Sequence, residues 1–368
     1  MKHYKLLSLL LAFMLLFSLA ACNSSSDTST DEPSAEVTST VSPTEEPTAE
    51  PTETPSLAKD EEPAIRLAVL SGPTGVGAAK LLDTADNDAG LLHDWYDYTI
   101  YTDNSELVAG LNTGEIDIAT MASNVAVNLY NKTDGGVKII AGGTLGVLHI
   151  LEGNGGDSIH SVADLRGKTI WSAGQGANPE YILRYLLQES SLEVGTDVKI
   201  ELTDASEIQT KLLSGDIECA MLPVPAATAA IAKGEGKVRA AIDVTEAWDG
   251  LQSGSQLVMT AVVARTEFVE AHPERVAAFL ADYEESINYV NNNIDAAAEL
   301  VAGYGITPSA AIAKQAIPQC HLVFLSDNEM VSAMSNYFMA LYAIDPASVG
   351  GSLPDDGIYW RADCGMKD

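Results

Sequence analysis

Apolar residues recur at helical spacing through Glu106–Leu111 (Leu107, Val108, Leu111), stop near Gly114, and resume at once as a short run, Ile116–Thr120. The same passage returns 101 residues later. Glu207–Leu213 repeats the helical spacing with Ile208, Leu212 and Leu213, and Gly215, Asp216, Ile217 and Ala220 stand where Gly114, Glu115, Ile116 and Ala119 stood. In each copy an amphipathic helix ends at a glycine, which takes the left-handed C-cap conformation without steric cost, and a buried strand follows. An earlier pair lines up as well: Arg66–Gly72 ahead of Gly75 with Lys168–Ala173 ahead of Gly176. Two duplicated segments, one helix, glycine and strand and the other strand, small-residue turn and helix, predict two similar α/β halves.

The remaining pattern fits that plan. Apolar runs predict strands at Ile65–Leu70, Tyr98–Thr102, Ile116–Thr120, Val137–Gly142 and Val147–Glu152, with helices at Gly75–Leu82, Ser105–Leu111 and Asn124–Asn131. Gly153-Asn154-Gly155-Gly156-Asp157 interrupts the alternation and marks the expected first crossing between lobes. Strands at Lys168–Ser172, Val198–Glu201, Ile217–Leu222 and Val238–Asp243 then alternate with helices at Pro179–Glu189, Ala205–Leu213 and Ala226–Lys233. Leu257–Ala264 is too apolar for a surface element and predicts a buried strand returning to the first lobe. Helices at Pro273–Asn291, Ile294–Gly303, Ser309–Ala316 and Asp327–Leu341 should cover that lobe, and the turn-rich 350–357 closes the surface. The expected fold is α/β and two-lobed, each lobe a mostly parallel sheet flanked by helices. Residues 63–157 and 257–368 form lobe one, and 158–256 form lobe two. About 306 residues suffice for two such lobes.

The N-terminal pattern is different. Lys2, His3 and Lys5 precede an apolar run, Leu6–Leu19, and Ala20-Ala21-Cys22 follows, the layout of a bacterial lipoprotein signal in which Cys22 becomes the lipidated mature N-terminus. Asn23–Glu62 is Ser, Thr, Pro and Glu with almost no large apolar side chain. It cannot bury enough surface to offset the entropy of folding and reads as a tether spanning about 35 Å as a flexible coil. The chain has a net charge of −32; the leader holds +2 and the tether −10, so 63–368 carries −24. A body this acidic repels nucleic acid and anionic lipid surfaces. Of four cysteines, Cys219 lies in a strand pattern and reads as a buried free thiol. Cys320 and Cys364 either pair or stay apart. No CxxC, HExxH or Cys/His pair at ligand spacing occurs, so no metal and no cofactor is expected.

Ligands of open α/β sheets sit beyond the carboxyl ends of the strands, which makes the turns there the candidate site. Ser71, Gly72, Thr74 and Gly75 follow the first strand and open a helix, where unpaired amides favour an acceptor. The loop lacks the Lys of a phosphate loop, since Ala78 follows Gly77, and the alternative is a plain tight turn. Its counterpart, Ser172–Pro179, offers Ser172, Gln175 and Asn178, the last either a ligand contact or a helix cap. Trp171 either stacks a planar ligand or belongs to the core. Ser123 and Asn124 end the third strand and either bind or cap. Pro223 and Pro225 rigidify the matching wall, and Thr144 is a further candidate, with Trp248 weaker. None of these turns contains Lys or Arg, so an anion would rely on amides and hydroxyls, whereas Glu152 and Glu180 would suit a positive group.

With Cys22, the acidic tether, Asp164-Leu165-Arg166-Gly167-Lys168-Thr169-Ile170 and Leu213-Ser214-Gly215-Asp216-Ile217-Glu218 assembled, the chain resembles the solute-binding proteins of ABC importers, in the nitrate, sulfonate, taurine and thiamine-pyrimidine-precursor binding group. The resemblance covers Ala64–Leu341. It implies a type II periplasmic-binding-protein fold that closes, as a monomer, on a small molecule and delivers it to a membrane permease and its ATPase, held outside the cytoplasm by a fatty (palmitate-type) anchor on Cys22. Two other classes remain: a binding lipoprotein that reports to a sensor, and an enzyme of the thiamine-pyrimidine type. For the latter, His149, His160, His272 and His321 are scattered and GxSxG is absent, so no catalytic residue is assigned.

Overall fold

The computed structural model describes residues 64–87, 95–251 and 254–362. Cys22, the leader, the tether and Cys364 lie outside the described residues. The strands are β1 Ile65–Leu70, β2 Tyr96–Tyr101, β3 Ile118–Ala122, β4 Val137–Thr144, β5 Leu148–Glu152, β6 Thr169–Ser172, β7 Lys199–Leu202, β8 Cys219–Pro223, β9 Arg239–Asp243, β10 Thr260–Arg265 and β11 Leu322–Leu325. The helices are α1 Pro73–Val76, α2 Ala79–Asn87, α3 Asn104–Thr113, α4 Ser123–Lys132, α5 Asn178–Glu189, α6 Ala205–Ser214, α7 Ala226–Lys233, α8 Val244–Asp249, α9 Thr266–Ala271, α10 Pro273–Asn292, α11 Ile294–Gly303, α12 Ala310–Ala316 and α13 Asp327–Ile344.

The strands form two sheets with one plan. The first has the order β11-β4-β10-β3-β1-β2 and the second β7-β6-β8-β5-β9. Leaving out the edge strand β11, each sheet runs second, first, third, inserted, fourth. The first three strands of each are parallel, and the inserted strand (β10 or β5) is antiparallel to its neighbours. The duplication in the sequence is therefore a duplication of topology. The antiparallel insertion has a simple cause. β10 starts opposite Ala122 and β5 opposite Pro223, at the carboxyl ends of β3 and β8, so each enters its sheet from the edge nearest the other sheet and must run away from it.

This placement corrects the expected first crossing. β5 belongs to the second sheet, so the chain crosses within Leu145-Gly146-Val147 and not at Gly153–Asp157. The glycines there make a turn at the far end of β5, where Gly153 N bonds Glu218 O and Gly155 N bonds Lys237 O. The apolar run Leu257–Ala264 does return to the first sheet, but only from Thr260 onward as a strand. Leu257, Val258 and Met259 form the buried second crossing. Met259 N bonds Thr144 O and the Thr144 and Thr260 hydroxyls lie 2.9 Å apart, which ties the two crossings together. Space there is tight: a Cβ on Gly146 would lie 2.1 Å from Thr245 Oγ1.

One buried carboxylate anchors each sheet. In the first, Asp117 accepts from the Arg66 backbone and guanidinium and from Arg265 Nη2 at 2.8 Å. In the second, Glu152 accepts from Ser158 N and Oγ, Ile159 N and Arg239 Nη2 at 2.6 Å. Burial alone would raise the Glu152 carboxyl, but the bonds from Ser158, Ile159 and Arg239 outweigh it and hold it at about 2. A carboxyl depressed on folding stabilises fully at neutral pH and loses that contribution as the pH falls from about 4.5 through about 2. The unfolding midpoint is expected to drop across that window, and Glu152→Gln to lower the midpoint at pH 7 and flatten the acid limb; an acid limb identical to wild type would contradict this role. Cys219 and Cys320 are both buried free thiols, pushed up to about 12 by burial, so the thiol expected at Cys219 is present and Cys320 is unpaired.

Candidate functional site

Both sheets direct the carboxyl ends of their parallel strands at a common gap, and the helices that follow start there. Thr102–Ser105, Val108 and Val125 from the first lobe face Ala173–Ala177 and Thr203–Ala205 from the second across a cavity of about 710 Å³. Its two walls are equivalent. Thr102-Asp103-Asn104-Ser105-Glu106 and Thr203-Asp204-Ala205-Ser206-Glu207 are the same passage at the offset of 101 residues, and Asp103 and Asp204 occupy the N-cap positions of α3 and α6. Asp103 accepts from Ser105 N at 2.6 Å, and the Ser105 bonds hold its carboxyl below the ordinary range. Asp204 makes no such cap bond, although it sits at the same position. The duplication extends four residues upstream of Glu106, and that extension was the signal that could have singled out these two residues from sequence.

Behind the cavity the lobes are joined by a buried polar network. Asn178, at the start of α5, donates to Ser123 Oγ at 3.1 Å and Met259 O at 2.6 Å and accepts from Tyr337 Oη at 3.0 Å. Ser123 Oγ in turn donates to Val258 O at 2.6 Å. Asn124 donates to Gly176 O and Ser348 O while its own Oδ1 has no partner. Ser123, Asn124 and Asn178 are essentially inaccessible. An aromatic stack continues the join: Trp248 lies between Tyr185 of α5 and Tyr337 of α13, with ring centroids 4.7 and 5.9 Å away, and donates from Nε1 to Ser255 O. The geometry is that of a closed pair of lobes.

The residues singled out from sequence fall into three groups. Ser123, Asn124 and Asn178 come together in the interlobe network, and Gln175, exposed, lines the cavity. Ser71, Gly72, Thr74 and Gly75 stay within the first lobe and are not among the residues lining this cavity. Ser71 N bonds Tyr101 O, Gly72 takes φ 87°, and a Cβ on Gly75 would lie 2.8 Å from Leu70 O, so these glycines serve a tight turn against their own strand. Thr144 ends β4 beside the first crossing, Pro223 ends β8 opposite Leu148 and Pro225 caps α7, with Val224 N bonded to Val147 O, and buried Ser172 bonds back to Ala173 O. Trp171 is not among the residues lining this cavity; its ring lies under the Lys211 ammonium of α6, 4.1 Å from the centroid. Glu152 is consumed by Arg239, and Glu180 by Arg184 and Gly176 N. Among the described residues no group of three His, Cys, Asp or Glu side chains could hold a metal ion.

Residues 101–304, more than half of the chain, match the model of the NMT1-like family. The chain belongs to the NMT1-like family. The match covers both walls of the cavity, both crossings and the interlobe network up to α11, and it agrees with the family resemblance carried by the sequence motifs. No curated protein sequence matches this NMT1-like chain. Solved structures do. An ABC transporter protein from Parabacteroides distasonis is 23% identical with a TM-score of 0.68, covering 82% of this chain and 99% of that one. The periplasmic aliphatic sulphonate binding protein SsuA from Escherichia coli is 15% identical with a TM-score of 0.64, covering 82% and 93%. A Candida albicans gene product described as having the generic periplasmic binding protein fold is 14% identical with a TM-score of 0.55, covering 81% and 94%. The NMT1-like chain therefore has the periplasmic-binding-protein fold expected from its sequence.

The aromatic placement leads to an expected result. Trp248 lies between the lobes and Trp171 outside the gap, so a solute that changes interlobe packing should change the fluorescence of wild type and of Trp171→Phe alike, and Trp248→Phe should remove most of the change. Loss of the signal in Trp171→Phe would place that ring in the site after all.

Proposed function

We propose that this chain captures a small solute in its interlobe cleft and delivers it to an ABC-type membrane permease, without catalysing a reaction. The observation that carries the reading is the cavity of about 710 Å³ between two equivalent walls, joined among the described residues through two crossings and a buried polar network. A solute touching both walls stabilises the closed arrangement by its differential affinity, and a permease can recognise closure as the loaded state. The cavity size suits a small organic molecule. The solute-binding roles of structural neighbours, such as aliphatic sulphonate binding by the Escherichia coli protein, support the reading at the level of class. In this reading the protein works outside the cytoplasm, tethered through lipidated Cys22, as a monomer. Thermal-shift screening of the full chain tests it, because a ligand bound only by the native state raises apparent stability. A solute that raises the midpoint in a concentration-dependent way and shrinks the radius of gyration is the expected result; a bound solute that leaves the radius unchanged would count against capture by closure.

A further inference from the structure

We infer that the first crossing is a pH-sensitive hinge, in which His149 and His321, one from each lobe, take up protons as the lobes part, so that acid opens the cleft and releases its solute. The release rests on the capture reading above; the opening itself does not.

The two histidines flank Leu145-Gly146-Val147 from opposite sheets. His321 precedes β11 of the first sheet and grips the crossing: its Nδ1 donates to Gly146 O, and its carbonyl accepts from Leu145 N at 3.1 Å. It does so at φ 43°, a left-handed conformation that a histidine keeps only where its surroundings fix it. His149 stands three residues beyond Gly146, in β5 of the second sheet. It is 9% exposed, and its buried Nδ1 has no hydrogen-bond partner among the described residues. Asp243 faces it from β9 and caps α8 by accepting from Thr245 N and Glu246 N, which brings the Glu246 carboxylate to the same corner. On the other side β8 sets uncharged Leu222 opposite, and the charge of α7, Lys233, lies at that helix's far end on Gln209 Oε1.

Burial pushes the His149 imidazole below its ordinary value of 6.5; Asp243 and Glu246 oppose that, the His321 ring adds to it, and burial prevails. The cause is visible in the bonding. An imidazolium has two N–H donors to satisfy, and the closed site offers the one on His149 Nδ1 no acceptor. His321 differs, since its Nδ1 is already a donor and keeps the Gly146 bond when the ring is charged, which sets a like charge toward His149. A rotation of the lobes about the crossing moves the rings apart and admits water to His149. The closed form therefore binds fewer protons than the open one. It is favoured above 6.5 and gives way as the pH falls below that value. Each proton taken up on opening raises the ratio of open to closed molecules by up to about tenfold per pH unit.

The test is solution scattering on the full chain without solute from about pH 8 to 5.5, where imidazoles titrate and the carboxylates stay charged, with histidine-selective NMR on the same samples. The radius of gyration is expected to rise as the pH falls, and its midpoint to match that of one imidazole titrating below 6.5. His149→Leu removes the buried imidazole. His321→Asn keeps a donor for Gly146 O and tolerates the left-handed backbone while removing the charge. Each is expected to reduce the acid-driven change in the open-to-closed ratio about tenfold or more across the range, and the unfolding midpoint at pH 8 verifies that each is folded. His160→Gln, at an exposed histidine beside Asp157, should keep the wild-type response. A radius that stays constant, or that rises equally in wild type and both variants, would overturn the hinge. Should a variant fail to fold, the wild-type NMR decides: no imidazole sharing the midpoint of the radius would overturn it too. Capture is judged by the thermal shift at pH 8, so either reading can fail while the other stands.

Discussion

Replacing Asp117 by alanine is expected to lower the unfolding midpoint of the chain by roughly 5–10 °C, one of the largest effects of any single substitution. Asp117 is 3% exposed and holds two guanidiniums, with Arg66 reaching it through three of its nitrogens and Arg265 through a fourth. Removing one partner of a buried charge cluster leaves the others uncompensated and costs on the order of 3–5 kcal/mol. Arg66 keeps partial access to water, which places the expected cost near 3 kcal/mol by that rule. The residue ties β1 to the loop before β3 and to the end of β10, three neighbouring strands of the first sheet, so the loss cannot be absorbed locally. Calorimetry on wild type, Asp117→Ala and Arg265→Met checks it, with Arg265→Met expected to cost less because Arg66 alone still satisfies the carboxylate. A shift below 2 °C for Asp117→Ala would show that the cluster contributes little.

The second large effect concerns closure rather than folding. Asn178→Leu removes a side chain that satisfies Ser123 Oγ, Met259 O and Tyr337 Oη at once, at a position 1% exposed. Each buried group left unpaired costs about 1–3 kcal/mol. The molecule has a way to avoid that cost, because opening the lobes returns all three groups to water. The expected outcome is thus a larger radius of gyration with a modest change in unfolding midpoint, together with a ten- to hundredfold loss of solute affinity, since apparent affinity scales with the population competent to close. Unchanged scattering with a large drop in midpoint would show instead that Asn178 acts only in the fold.

Much of this architecture is legible in the residues. The strands and helices of both lobes follow from periodicity and glycine caps; Ile65–Leu70, Ala226–Lys233 and Ile294–Gly303 have the bounds read from sequence. The duplication is legible because the two lobes keep Gly114 and Gly215 in the left-handed C-cap, φ 75° and 85°, where other residues are strained. What escaped was tertiary. The first crossing is three residues, Leu145-Gly146-Val147, flanked by two buried strands, so no break in hydrophobicity announces it, and the louder glycine cluster at Gly153 belongs to a surface turn. The apolar run at Leu257 hides three non-strand residues, two of which, Val258 and Met259, offer their carbonyls to Ser123 and Asn178. Trp171 is ambiguous in sequence because a strand-end aromatic can face either side, and only the approach of Lys211 decides it. Asn124 and Asn178 look like caps from sequence; their bonds across the lobes depend on residues more than fifty positions away.

The distance between the lobes is the most direct measurement. Asn112 on α3 and Leu213 on α6 are equivalent exposed positions of the duplication, one on each lobe, and the buried thiols of Cys219 and Cys320 will not label. Spin labels at Asn112→Cys and Leu213→Cys, with Cys22 and Cys364 replaced by serine, report that distance by dipolar spectroscopy. On titration with a solute that binds, the distribution is expected to collapse from broad or double to a single narrow, shorter distance. A solute that binds while the distribution stays as it was would contradict capture between closing lobes.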